Sequence, residues 1–360
     1  MEHMKVTNNR SKVINKKILY MYREIMPYNI PVLKNLVEMG YRVSVIHSHK
    51  KRKSSYVPPS LEGVEFFDES DFDQRDLKAF AEKLNPDMAF VCDWSVRKFN
   101  LCGMYLRHKY NVPVVVGCDT QWLGGRQWAN VFTSRFRQLV FFSHILVAGV
   151  RQYEYAKRIG FKNAQILLNL LSADVEKFSE RKSERDDYSE ARTFVFVGRF
   201  VHAKGVDLLL DAWRAISDRK GCKLVMIGEG PLKDELDYPD DVEIHPFSTQ
   251  KELLEHAAGL ACFVLPSIFE PWAVVIHEFA AAGMPLIVTD ACGAAPHFVI
   301  NNYNGYIVKT GSSTDLGAAM EKLINLDGET FRLFEQRSRK MSKTIHPELV
   351  ARSLTSVLEQ

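Results

Sequence analysis

Two short segments hold side chains whose types and spacing could do chemistry. The first is VGRFVHAKG, residues 197–205, where an apolar run ends at Val197, Gly198 allows a turn, and Arg199 and Lys204 stand five apart before a helical pattern. Two cations where a strand hands over to a helix N-terminus suit a diphosphate, because a guanidinium grips phosphate oxygens bidentately and an ammonium adds a point charge. A solvated basic loop is the alternative reading of the same residues. The second segment is PSIFEPWAVVIHEFAAAGMP, residues 266–285. Glu270 follows an apolar run in a proline-flanked loop, and Glu278 lies eight residues on. The helix around Glu278 is expected to begin near Trp272 or Ala273 and to aim its positive end at a ligand cleft. Helix carboxylates are commonly solvated, yet the neighbours here, Ala280, Ala281 and Ala282 among them, are nearly all apolar. A carboxylate buried without purpose is costly.

These side chains need strands and helices to place them. Apolar runs rich in Val and Ile recur at 18–22, 43–47, 88–92, 112–117, 145–148 and 165–168, then at 193–197, 223–227, 242–245, 262–265, 286–289 and 306–308. Such runs without alternation suit parallel strands buried on both faces. Helical stripes lie between them. Val32, Leu33, Leu36 and Val37 follow Pro31 and stop at Gly40; Leu77, Phe80, Ala81 and Leu84 precede Asn85-Pro86; Val206, Leu209, Leu210 and Trp213 form a third. Thr249 and Glu252 read as a capping box. The alternation predicts an α/β architecture of two Rossmann-like, doubly wound domains. The charged stretch ERKSERDDYSEAR, residues 180–192, reads as the linker. The expected division is 1–185, 186–345 and a terminal helical segment over 346–360.

Composition sets limits. The chain has 360 residues, 46% hydrophobic and 25% charged, enough for two cores, and its net charge of +3 argues against a bulk polyanion such as nucleic acid. Six cysteines form no C-x-x-C pair, so free thiols in a reducing compartment are expected rather than a zinc site. The polar start lacks a signal-like apolar stretch, and no apolar run is long enough to span a bilayer, which makes a cytoplasmic location the expectation. The run QLVFFSHILVAGV, residues 138–150, is broken by Ser143 and His144 and reads as a buried element.

Together, Gly198-Arg199 with Lys204-Gly205, and Glu270 with Glu278 in the setting Ser267-x-x-Glu270-Pro271-Trp272, resemble the retaining glycosyltransferases of family 4. Further pieces fall in the family's order: Ile227-Gly228-Glu229-Gly230-Pro231, then Leu168-Asn169 with Asp174 and Phe178 before the linker, and the late Asn304-Gly305. The resemblance is strong over 194–308 and weaker before it. It implies the GT-B fold, in which two Rossmann-like domains face across a central cleft, the first taking the acceptor and the second a nucleotide diphosphate sugar. It also implies that Arg199 and Lys204 bind the diphosphate and stabilise the departing charge, work that a metal does in the other main transferase fold. Glu278 is implied to receive the ribose hydroxyls and Glu270 to face the transferred sugar. Backbone amides at Trp272, Ala273 and Val274 are implied to line sugar and phosphate. Phe247 sits where the family places its base-binding loop, with a core position as an equal alternative. No cofactor and no essential metal are implied, and the last helix often crosses back to the first domain in this family.

The chain departs from the family pattern in three places. Trp272-Ala273 stands where Phe-Gly is usual; the first loop is Arg23-Glu24-Ile25-Met26-Pro27 rather than Gly-Gly; and Cys118 takes a position that is often His beside an Asp. Asp119 is the expected contact to reacting sugar or acceptor. In residues 120–138, TQWLGGRQWANVFTSRFRQ, the aromatics Trp122, Trp128, Phe132 and Phe136 interleave with Arg126, Arg135 and Arg137. This suits a membrane surface or lipid-linked acceptor, with the tract Lys50-Lys51-Arg52-Lys53 adding attraction to anionic headgroups. A half-buried helix bordering the cleft is the plainer reading. Asp71-Phe72-Asp73 matches a D-x-D metal motif but lies in an acidic run that reads as an exposed loop. A dehydrogenase would need G-x-G-x-x-G after the first strand, and a P-loop enzyme G-x4-G-K-[ST]; neither is present. A nucleotide-sugar epimerase or a catalytically silent donor-binding protein remain as alternatives.

Overall fold

The computed structural model describes residues 15–48, 56–181 and 191–359. The basic tract Lys50 to Lys53 and most of the expected linker lie outside the described residues.

The first sheet is built from β1 (Lys17–Met21), β2 (Arg42–His47), β3 (Val64–Asp68), β4 (Met88–Val91), β5 (Val114–Cys118), β6 (His144–Val147) and β7 (Ile166–Leu168), in the order β3-β2-β1-β4-β5-β6-β7. The second is built from β8 (Thr193–Val197), β9 (Lys223–Ile227), β10 (Val242–His245), β11 (Ala261–Leu265), β12 (Leu286–Thr289) and β13 (Gly305–Val308), in the order β10-β9-β8-β11-β12-β13. The pairings β1–β2, β1–β4, β8–β9, β8–β11 and β12–β13 are parallel. Central strands are buried on both faces, as in Phe194, Val195 and Phe196 of β8 and all of β11. The two doubly wound sheets match the expected fold class.

One strand was not foreseen. β3 is an edge strand, and its residues Val64, Glu65, Phe66, Phe67 and Asp68 mix buried, half-buried and exposed positions, so it carries no continuous apolar run. The acidic run that follows is ordered: Glu69–Asp71 form a 3-10 turn, and Asp73 caps helix Gln74–Leu84 by accepting from the Arg75 and Asp76 amides. The apolar run at 138–150 divides into a short helix, Gln138–Phe141, and β6.

By internal contacts the chain forms two compact units. One contains the described residues up to Val116, with Phe136–His144 and the residues from Thr355 onward; in it Lys16 Nζ donates to the Leu358 carbonyl at 2.9 Å. The other contains Gly117–Arg135 and Ile145–Leu354. Its helix Val206–Ala215 buries Val206, Leu209, Leu210 and Trp213, the expected stripe, and helix Gln250–His256 opens on the expected capping box. No helix among the described residues is long and apolar enough to cross a membrane.

Candidate active site

In an open parallel sheet, ligands bind beyond the strand C-termini where the strand order reverses. In the second sheet that point lies between β8 and β11. The loops leaving these two strands are residues 198–205 and 266–273, the two segments whose side chains stood out.

The loops are bonded to each other. The amides of Ile268 and Phe269 both donate to the Ala203 carbonyl, at 2.9 and 3.3 Å. Gly205, at φ +66°, lies so close that a Cβ there would sit 2.1 Å from the Pro266 carbonyl oxygen, which only glycine avoids. This contact brings Lys204 to Glu270, and the two form a hydrogen-bonded ion pair whose side chains are 19% and 12% exposed. Ser267 Oγ donates to the same carboxylate oxygen at 3.5 Å, and Thr289 Oγ1 fixes the Ser267 carbonyl at 2.5 Å. Arg199, beside Gly198, is exposed and makes no side-chain hydrogen bond or ion pair among the described residues. With Lys204 balanced by Glu270, Arg199 leaves the mouth of the loops cationic.

Helix Val274–Ala281 starts as expected, and its cap, Ala273, is left-handed at φ 77°, ψ 79°. A side chain in that region costs about 1–2 kcal/mol, a cost that glycine would avoid. Trp272 is buried against His297 and Phe298, with ring centroids at 5.1 and 6.4 Å, and its indole N–H has no partner among the described residues. Its carbonyl accepts from the Ala294 amide at 2.9 Å. The same helix is anchored by His277, whose Nδ1 accepts from the Ala173 amide at 3.0 Å while Nε2 donates to the Ser342 carbonyl at 2.8 Å. Burial pushes that imidazole down to about 4. Glu278 receives Gln250 Nε2 at 3.4 Å, and desolvation pushes its carboxyl up to about 7. Phe247, just beyond β10, is 67% exposed, so the core alternative falls.

Asp119 follows β5 and is exposed. Its carbonyl accepts from Gln152 Nε2 at 3.0 Å, and that nitrogen also donates to the Pro271 carbonyl at 2.7 Å, linking Asp119 to the residue after Glu270. Arg151 donates to the Asp290 carbonyl at 2.6 Å, and Gln121 to the Ala291 carbonyl at 3.0 Å. No motif marked Gln121, Arg151 or Gln152, because side chain to main chain bonds leave no pattern in sequence. Cys118 is buried, with its thiol on the Thr120 carbonyl at 3.6 Å.

Helix Gln127–Thr133 occupies the centre of the aromatic stretch. Trp122 is half-buried under Arg158, 4.8 Å from the ring, and meets Trp128 edge-on at 5.3 Å. Arg126, Arg135 and Arg137 are exposed.

Residues 177–341 match the sequence model described as glycosyl transferases group 1. An uncharacterized glycosyltransferase of Methanocaldococcus jannaschii is 26% identical over 159 residues, 42% of this chain and 40% of that protein. The N,N'-diacetylbacillosaminyl-diphospho-undecaprenol alpha-1,3-N-acetylgalactosaminyltransferase of Campylobacter jejuni is 23% identical over 251 residues, 65% of each chain. The first of these matches thus spans less than half the length of the curated relative. The structure of a sucrose-phosphate synthase from Thermosynechococcus elongatus superposes with a TM-score of 0.76 over 96% of this chain and 99% of that one, at 16% identity. The chain thus has the GT-B fold, and its segment 177–341, which holds Arg199, Lys204, Glu270 and Glu278, carries the sequence pattern of glycosyl transferases group 1.

Proposed function

We propose that the protein is a retaining glycosyltransferase of family 4 that moves a hexose-type sugar from a nucleotide diphosphate to a glycan or lipid-linked acceptor. The observation that carries this reading is the pairing at the switch point, where Arg199, exposed and without a side-chain partner among the described residues, stands beside Lys204 held on Glu270. Arg199 grips the donor diphosphate, Lys204 turns from Glu270 to the phosphates, and Glu270 is then free to accept from the sugar hydroxyls. Amides at Trp272, Ala273 and Val274 line the sugar and phosphate, Glu278 accepts from the ribose, and Phe247 lies against the base. Asp119 contacts the reacting sugar or acceptor. The acceptor oxygen attacks the anomeric carbon from the face that the phosphate leaves, the anomeric bond to phosphate oxygen breaks, and that oxygen takes the acceptor proton. Arg199 and Lys204 balance the departing charge, so no divalent metal is required.

In this reading residues 1–185 take the acceptor, residues 186–345 take the donor, and 346–360 return to the first domain. The setting is bacterial surface polysaccharide or lipopolysaccharide assembly, in the cytoplasm at the inner face of the membrane; the relative from Campylobacter, whose name specifies a diphospho-undecaprenol acceptor, supports it. The test is thermal shift with UDP, GDP, ADP, CMP and their common sugar conjugates, repeated with Arg199→Ala and with EDTA. One nucleoside diphosphate stabilises the native chain, Arg199→Ala abolishes that shift, and EDTA leaves it unchanged. No response to any nucleotide overturns the reading. Binding without transfer or donor hydrolysis moves it to a silent donor-binding protein.

A further inference from the structure

The aromatic helix has exposure and charge that the donor site does not use. Trp128 and Phe132 stand one turn apart, with ring centroids 6.0 Å from each other, and are 48% and 71% exposed. Leu123, in the loop before the helix, is 59% exposed. Trp122 packs edge-on beneath Trp128 and is itself covered by Arg158, so the tryptophan pair is braced from below and Trp128 faces outward. Arg126 caps the helix and Arg135 lies in the 3-10 turn after it, which sets an exposed cation at each end of the apolar cluster. Residues 120–153 contain no Asp or Glu at all, and Glu154, the next acidic residue, is ion-paired to Arg158 at 3.6 Å.

Large exposed apolar side chains gathered on one element mark an interaction surface. Their chemistry selects the partner. Trp, Phe and Leu flanked by arginines, on a stretch that carries no carboxylate of its own, fit the boundary between acyl chains and anionic headgroups, where indole sits at headgroup level and guanidinium meets phosphate. A polynucleotide would also attract arginines, but exposed Leu123 and a net charge of only +3 fit it poorly.

We propose that Leu123, Trp128 and Phe132, flanked by Arg126 and Arg135, dock the protein on the surface of a bilayer rich in anionic phospholipid. The proposal rests on the membrane-face setting given above and names its lipid class and its contact residues. It stands or falls separately from donor chemistry.

The experiment is co-sedimentation of the full-length chain with sucrose-loaded vesicles, either of phosphatidylcholine alone or with about 30% phosphatidylglycerol, at about 0.1 M salt where attraction still reaches about 10 Å. The wild-type chain partitions at least tenfold more strongly onto the anionic vesicles. Neutralising both arginines as Arg126→Gln/Arg135→Gln weakens that partition by about fivefold per charge. Trp128→Ser/Phe132→Ser weakens it by about tenfold or more and leaves the residual binding salt-sensitive. Melting temperatures near that of the wild type establish folding; should either double variant not fold, the single exposed substitution Arg135→Gln and a salt titration of the wild type read the same dependence. Equal partition onto both vesicle types, no binding by the wild type, or variants that bind as it does would each overturn the proposal. Nucleotide binding is measured on the same samples without vesicles: if it persists while vesicle binding is absent, the surface proposal falls and the donor reading stands.

Discussion

Replacing Glu278 with Gln tests the electrostatics of the proposed donor site most directly. Burial raises its carboxyl from 4.5 to about 7. At about 1.4 kcal/mol per unit, holding this group ionised costs the folded chain on the order of 3 kcal/mol. The sign follows from the raised value: the stability is fully present below the unfolded value and is lost as pH rises through about 7. Between pH 6 and 8 the wild type therefore loses about 1 kcal/mol relative to Glu278→Gln. Ribose hydroxyls bind best to the ionised carboxylate, whose fraction rises from about one tenth at pH 6 to about nine tenths at pH 8. Donor affinity accordingly increases about tenfold over that interval, because only the competent fraction binds. The ligand is a nucleotide sugar, which lacks the terminal phosphate that titrates near pH 6 in a free nucleoside diphosphate. Calorimetric titration in two buffers of different ionisation enthalpy reads both the affinity and the proton released, close to one per donor at pH 6. Flat wild-type affinity, or the same slope in Glu278→Gln, refutes the assignment of Glu278 to the ribose.

Three other substitutions address the surrounding scaffold. Lys204→Met and Glu270→Gln each strand the partner, and each lowers stability by about 1–3 kcal/mol in urea unfolding. The double variant recovers part of that loss, giving a coupling of about 1 kcal/mol or more; additive effects would mean that the pair does not form in solution. Ala273→Gly relieves about 1–2 kcal/mol of left-handed strain against about 0.4–1 kcal/mol of added chain entropy in the unfolded state, so melting rises by about 1–2 °C. A fall in melting temperature would show that Ala273 is not left-handed. Gln152→Leu leaves the Asp119 and Pro271 carbonyls without their donor and costs about 2 kcal/mol; an unchanged urea midpoint would refute the bridge.

Much of the second sheet was legible because its central parallel strands appear as nearly continuous apolar runs; the expected bounds of β8, β9 and β12 coincide with those observed, as do those of the half-buried edge strand β10. β3, the edge strand of the first sheet, escaped: Glu65 and Asp68 interrupt its apolar residues, and an acidic run follows it directly. The ion pair of Lys204 with Glu270 joins residues 66 apart, and only the adjacency of β8 and β11 makes them neighbours. The replacement of glycine by Ala273 was visible, but its strain was not, since dihedrals depend on how the loop meets the helix. Gln152 carried no signal for a different reason. Its role is to bridge two carbonyls, and every residue offers a carbonyl.

The pairing of Lys204 with Glu270 also bears on how product leaves. In the function proposed above, an arriving donor sugar supplies hydroxyls for Glu270 at the moment its phosphates claim Lys204, so both groups exchange one partner for another. A bare nucleoside diphosphate offers the lysine a phosphate but leaves the carboxylate with nothing, and its hold is weaker by that unmatched group. The loop thus favours the charged carrier over the spent one. Glu270→Gln should narrow the ratio of their affinities in calorimetric titration, and an unchanged ratio would remove this account. Under the proposed function, the ion pair of Lys204 with Glu270 is in this sense a device against product inhibition.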